Sequence, residues 1–136
     1  MKIVVDASVI VKWYLSEPDS AAAEGLHDED TIAPELWISE TANALWKRHA
    51  RGEIDSRVLD GFAATAGSST ITTEPIIRDI AYALDLARRL RHPVYDCLYL
   101  ASAIRNDTHV VTADRRFFAA VAKHPDLAPH IRLLGA

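Results

Sequence analysis

A single cysteine, Cys97, leaves the 136-residue chain unable to form an internal disulfide or a cysteine-built metal site, which suits a reducing cytoplasm. Long apolar runs are missing too. None approaches the roughly eighteen residues of a membrane helix, so no membrane partner is expected. Asp6 and Lys12 interrupt the apolar N-terminus too early for a secretory signal. No Gly/Pro/Ser-rich linker, composition break or internal repeat divides the chain, and one domain over residues 1–136 is expected. An excess of basic residues is also lacking: 15 Lys and Arg against 19 Asp and Glu give a net charge of −4, unlike a non-specific nucleic-acid binder. The six histidines show no pair at metal-ligand spacing on a helix face, and none is assigned a catalytic role.

What is present is an alternation of short apolar runs and helical stripes. Lys2-Ile3-Val4-Val5 has no polar–apolar alternation and predicts a central strand buried on both faces, ending in Asp6. A helix is expected over 7–15 with Ser8 near its N-cap, then a short helix over 20–26. Thr31-Ile32-Ala33 predicts a second strand. Pro34 then opens a helix over about 35–51 that stops at Gly52, and Asp55 caps another reaching about Ala66. Thr70-Ile71-Thr72-Thr73 predicts a third strand and 76–90 an amphipathic helix broken by His92-Pro93. Residues 95–104 are apolar nearly all round, the mark of a helix enclosed by other elements. His109-Val110-Val111-Thr112 predicts a fourth strand, 115–123 a helix and 131–134 a last strand. Five strands alternating with helices imply an α/β fold: a mostly parallel sheet with right-handed crossovers and helices on both faces.

Four carboxylates stand out on that frame. Asp6 ends the first strand and Asp114 follows the fourth, so both project from the carboxyl edge of the sheet, where ligands of open α/β sheets bind. Asp96 lies in the first turn of the enclosed helix, on the stripe of Tyr99, Leu100 and Ala103. Glu40 lies early in the helix after the second strand, with Leu36, Trp37, Asn43 and Ala44. Taken singly, Asp96 and Asp114 are ordinary helix-terminal acids and Glu40 a partner for Lys47 or Arg48. Asp6 is harder to explain, because a carboxylate at the end of a doubly buried strand needs a cation or strong hydrogen bonds.

Together the four point to a hard divalent cation, Mg²⁺ or Mn²⁺, as one or two ions with open positions for substrate oxygens. Such sites activate water for attack on a phosphodiester. Ser8 and Thr112 carry hydroxyls on the same edge and are candidates to orient a carboxylate. Arg115 and Arg116, then Lys12, are the candidate phosphate contacts. Lys47-Arg48-Arg51 fall in the last turns of their helix and are assigned to its dipole instead. Setting the four acids aside brings the rest of the chain to neutrality, and without a broad basic surface tight non-specific binding of nucleic acid is not expected.

The segments Ile3-Val4-Val5-Asp6-Ala7-Ser8, Glu40, Tyr95-Asp96-Cys97-Leu98-Tyr99-Leu100-Ala101 and Val111-Thr112-Ala113-Asp114-Arg115-Arg116-Phe117 resemble, in that order, a PIN-domain ribonuclease of the VapC toxin type, from VapBC toxin–antitoxin pairs. That resemblance implies a Rossmann-like sheet in the order 3-2-1-4-5, metal-dependent endonucleolytic cleavage of RNA, a homodimer and a cognate VapB-type antitoxin. It assigns Asp6, Glu40, Asp96 and Asp114 to catalysis and metal binding. Some relatives carry a further acid after the Asp114 position; Arg115, Arg116, Phe117 and Phe118 stand there instead. Trp13, Tyr14, Trp37 and Trp46 are expected to be core for at least half, the remainder offering an apolar groove to an antitoxin helix. A haloacid-dehalogenase-type phosphatase would need a second Asp where Ser8 stands. A receiver domain would need acids where Ala7 and Thr73 stand. The remaining alternative is a PIN-like binding or regulatory module without nuclease activity.

Overall fold

Val4 and Val5 are both completely buried, and adjacent side chains on a strand point to opposite faces, so the strand they belong to is covered on both sides. In the computed structural model, which describes residues 2–136, this strand, β1 (Lys2–Val5), lies at the centre of the sheet. Its neighbours are β2 (Asp30–Pro34) and β4 (Val110–Thr112); β3 (Thr72–Glu74) and β5 (Ile131–Leu133) form the edges. The order is 3-2-1-4-5, and all four pairings are parallel. Parallel neighbours require crossovers, supplied by α1 (Ala7–Ile10), α2 (Ser20–Glu24), α3 (Trp37–Ala50), α4 (Ser56–Thr65), α5 (Ile80–Leu90), α6 (Val94–Arg105) and α7 (Arg115–Ala122).

The enclosed helix is α6. Cys97 through Ala103 are buried without a break, because α6 packs on β1, β2 and β4 while α5 covers its outer side. Among the described residues no helix is long and apolar enough to cross a membrane.

Several boundaries differ from the expectations, the amphipathic helix expected over 76–90 among them: α5 starts at Ile80 behind a 3-10 turn at Ile77–Asp79. The helix expected over 7–15 is α1 followed by a tighter 3-10 turn at Val11–Trp13, and its N-cap is Asp6 rather than Ser8. Asp6 leaves β1 with extended backbone and its carboxylate accepts from the Val9 amide, which places Ser8 inside the helix. Pro34 closes β2 instead of opening a helix. It lies opposite Glu74 in the ladder, and α3 starts at Trp37 once Glu35 N–H has bonded the Glu74 carbonyl at 2.8 Å. The third strand is shifted to Thr72–Glu74 because pairing with β2 aligns Ile32 with Thr72.

Of the four early aromatics, Trp37 is 1% exposed and Trp46 57%. Trp13 and Tyr14 pack partly buried against the core.

Candidate active site

The carboxyl edge of the sheet opens into a cleft of about 290 Å³, lined by Asp6, Glu40, Asp96 and Asp114 together with Ser8, Asn43 and Lys47. The four acids arrive on four different segments: the end of β1, the first turn of α3, the first turn of α6 and the residue before α7. Only the parallel topology makes them neighbours.

Asp6 is 3% exposed. Burial pushes its carboxyl up to about 7, and the nearby Asp96 charge adds to the effect, while hydrogen bonds from the Ser8 and Thr112 hydroxyls pull the other way. Ser8 Oγ donates to Asp6 Oδ1 at 2.5 Å, accepts from the Ala113 amide at 2.9 Å and stands 3.3 Å from Thr112 Oγ1. Thr112 Oγ1 accepts from the Asp114 amide at 3.1 Å. These two hydroxyls tie the ends of β1 and β4 together and fix the rotamer of Asp6. Thr112 itself is fully buried and acts on the cleft through Asp6.

Glu40 is held from the opposite wall. Tyr99, fully buried on α6, donates its hydroxyl to Glu40 Oε1 at 2.8 Å. Burial raises the Glu40 carboxyl and the Asp96 charge raises it further, against the hydrogen bond from Tyr99. Burial and the Glu40 carboxylate drive the Tyr99 phenol well above its ordinary value, so it stays protonated as the donor. Asp96 is also raised, first by burial and then by Asp114, with His92 opposing. The His92 Nε2 lies 2.6 Å from Asp96 Oδ2. Asp114 caps α7, its Oδ1 accepting from the Arg116 and Phe117 amides at 2.9 and 3.2 Å. A cap and a cleft-lining carboxylate are thus compatible in one residue, since the cap occupies a single oxygen.

Arg115 and Arg116 are exposed on the first turn of α7 and do not line the cleft. Lys12 is committed elsewhere, paired with Glu17 at 2.7 Å and Asp19 at 3.0 Å. Arg48 joins the same Glu17 at 2.5 Å, so it is not a partner of Glu40. Lys47, assigned to the helix dipole on sequence, instead lines the cleft. Its signal was available: residues 40, 43, 44 and 47 follow the i, i+3, i+4, i+7 pattern of one helix face.

Nothing in the sequence marks His92 as part of this site. It precedes Asp96 by four residues, a spacing that signals contact only within a helix, and Pro93 lies between them. One donor atom from each of His92, Asp96 and Asp114 lies within 4.8 Å of the others, whereas Asp6 and Glu40 stand in the cleft outside that set.

An oxygen-rich set with Lys47 as the cation in its lining fits a hard divalent ion. The buried Asp6 in particular would gain a counter-charge.

A family model described as PIN domain matches residues 3–124. Among solved structures, PAE2754 from Pyrobaculum aerophilum is similar at 25% identity and a TM-score of 0.66, over 88% of this chain and 79% of that one. VapC20 of Mycobacterium tuberculosis, described as a sarcin-ricin loop cleaving toxin, is similar at 19% identity and a TM-score of 0.70, over 87% and 94%. A toxin–antitoxin complex from Klebsiella pneumoniae is similar at 16% identity and a TM-score of 0.64, over 96% and 95%. Comparison with curated proteins finds no match.

Proposed function

The chain belongs to the PIN domain family, and on that premise we propose that it is a Mg²⁺- or Mn²⁺-dependent endoribonuclease, the toxin of a toxin–antitoxin pair. The observation that carries this reading is the convergence of Asp6, Glu40, Asp96 and Asp114, from four separate segments, on one cleft. These carboxylates would hold one or two ions. A divalent ion supplies Lewis-acid activation of water and offsets charge as the phosphodiester is attacked.

The chain's own residues do the remaining work. Ser8 and Thr112 hold Asp6 in position, and Tyr99 does the same for Glu40. Lys47 meets a backbone phosphate inside the cleft, and Arg115 and Arg116 reach the flanking ones from the edge.

The antitoxin is assigned to an apolar trough of about 530 Å³ lined by Leu36, Ile38, Ala42 and Ile76. A second hollow lined by Leu36, Glu40, Asn43 and Tyr95 joins that trough to the acidic cleft. An amphipathic helix lying there would deliver a basic side chain to the four acids. A homodimer and a cytoplasmic location complete the proposal. The buried thiol of Cys97 is pushed up to about 12, chiefly by burial, and needs no oxidising compartment.

The competing reading, a binding module without nuclease activity, draws on the fact that Asp6 and Asp114 both cap helices. Caps do not explain the half-buried Glu40 and Asp96 facing the same cleft. The test is to incubate the purified chain with candidate RNAs and Mg²⁺ or Mn²⁺, beside a chelator control and folded Asp6→Asn and Asp96→Asn variants. Cleavage is expected from wild type alone and only with metal. Cleavage that persists in both variants would remove the proposal.

A further inference from the structure

His92, outside the cleft lining itself, brings a ring nitrogen to the Asp96 carboxylate, and its backbone explains why. Arg91 ends α5 in the left-handed region at φ 52° and Pro93 follows with ψ 139°, so the chain turns sharply around His92. The imidazole is fixed within that turn. It stacks on Phe117 with 5.0 Å between ring centroids and 22° between planes, and its side chain is 11% exposed. Its Nε2 reaches Asp96 Oδ2 at 2.6 Å. Because donor atoms of His92, Asp96 and Asp114 all lie within 4.8 Å, one ion can be reached by all three with slight adjustment.

Carboxylate oxygens suit Mg²⁺ and Mn²⁺ alike, whereas imidazole nitrogen suits softer transition ions. Resting on the reading of the acids as cation ligands, we propose that His92 joins Asp96 and Asp114 as a third ligand of one ion, and that its nitrogen gives the site a preference for a borderline transition dication over Mg²⁺. Asp6 and Glu40, cleft-lining acids outside that set, offer oxygen alone, so the preference resides with His92. The stacked ring is already immobile and loses little entropy on ligation.

Zn²⁺ and Mg²⁺ are titrated by calorimetry into chelator-stripped wild type, His92→Phe, His92→Gln and Asp6→Asn, and Mn²⁺ bound as a paramagnetic probe is examined by pulsed electron paramagnetic resonance for coupling to ¹⁴N. His92→Phe keeps a ring against Phe117, and a thermal melt checks its fold. It is expected to lower Zn²⁺ affinity about tenfold or more and Mg²⁺ affinity by no more than about threefold. The ¹⁴N coupling is expected in wild type and lost in His92→Phe. His92→Gln, which can still hydrogen-bond Asp96, is expected to stay as weak for Zn²⁺ as His92→Phe. Equal loss for both ions, recovery in His92→Gln, or a wild-type spectrum without ¹⁴N coupling would overturn the role of His92. Ion binding abolished by Asp6→Asn but unchanged by His92→Phe would remove His92 alone; no binding of either ion by wild type would remove the reading of the acids themselves.

Discussion

A single side chain, Asp6, sets an unusual pH response. Its carboxyl lies at about 7 in the folded chain against 3.8 for the ordinary group, so between those values the folded state holds a proton that the unfolded state has released. Stability is therefore present in acid and lost as pH rises through about 7. Glu40 and Asp96 are raised as well and act with the same sign. Glu17 and Glu74 are lowered and act oppositely, but they lose their contribution only below the ordinary glutamate range. The melting temperature of chelator-treated protein should fall between about pH 5 and pH 7, Asp6→Asn should flatten that fall, and Mn²⁺ should reverse it. A wild-type melt that rises over the interval would contradict the burial account of Asp6. Tyr99→Phe tests the next contact outward. It removes the donor to Glu40 while keeping the ring, and should lower metal affinity about tenfold at a stability cost of about 1 kcal/mol. Calorimetry beside a denaturant melt separates the two effects.

Among elements, α6 matters most to both fold and site. One side carries Asp96 and Tyr99 to the cleft, and its far end carries Arg105, which bonds Asp79 at 2.8 and 2.9 Å and Glu74 at 2.8 Å. Those two carboxylates drive the Arg105 guanidinium above its ordinary value, and the network fastens α6 to the edge strand β3. Between the ends the helix is wholly enclosed. Leu100→Ala should therefore cost about 2–5 kcal/mol, whereas Leu84→Ala on α5, 45% exposed, should stay within about 0.5 kcal/mol. Similar losses at both positions, measured by denaturant melts, would show that α6 is less enclosed than its burial indicates.

For the whole molecule, the net charge of −4 and the gathering of acids at one edge make long-range attraction of RNA weak without bound cations. Local positive groups then count individually. Lys47→Gln should raise KM for RNA with kcat little changed and should reduce the salt slope of binding by about 0.7, the value of one phosphate contact on a single strand. An unchanged slope would place Lys47 outside the bound strand. Much of this organisation is legible in the chain itself. The unbroken apolar runs of β1 and α6 announce two-sided burial, since neither period leaves a polar face. The four acids stand out because the strand–helix alternation puts each of their segments at the same sheet edge. Tertiary structure alone decided the rest. Asp6 became the cap of α1 because pairing with β4 fixed where β1 ends. Lys12 was taken by Glu17 and Asp19, and Lys47 was turned into the cleft, by how the early helices pack. His92 met Asp96 because a left-handed residue and a proline fold the chain back between α5 and α6. Sequence alone determined which residues are apolar, acidic or basic and at what period they recur. Which charges face one another was decided only by the fold, because Coulomb and hydrogen-bond energies depend on distances between segments that lie far apart along the chain.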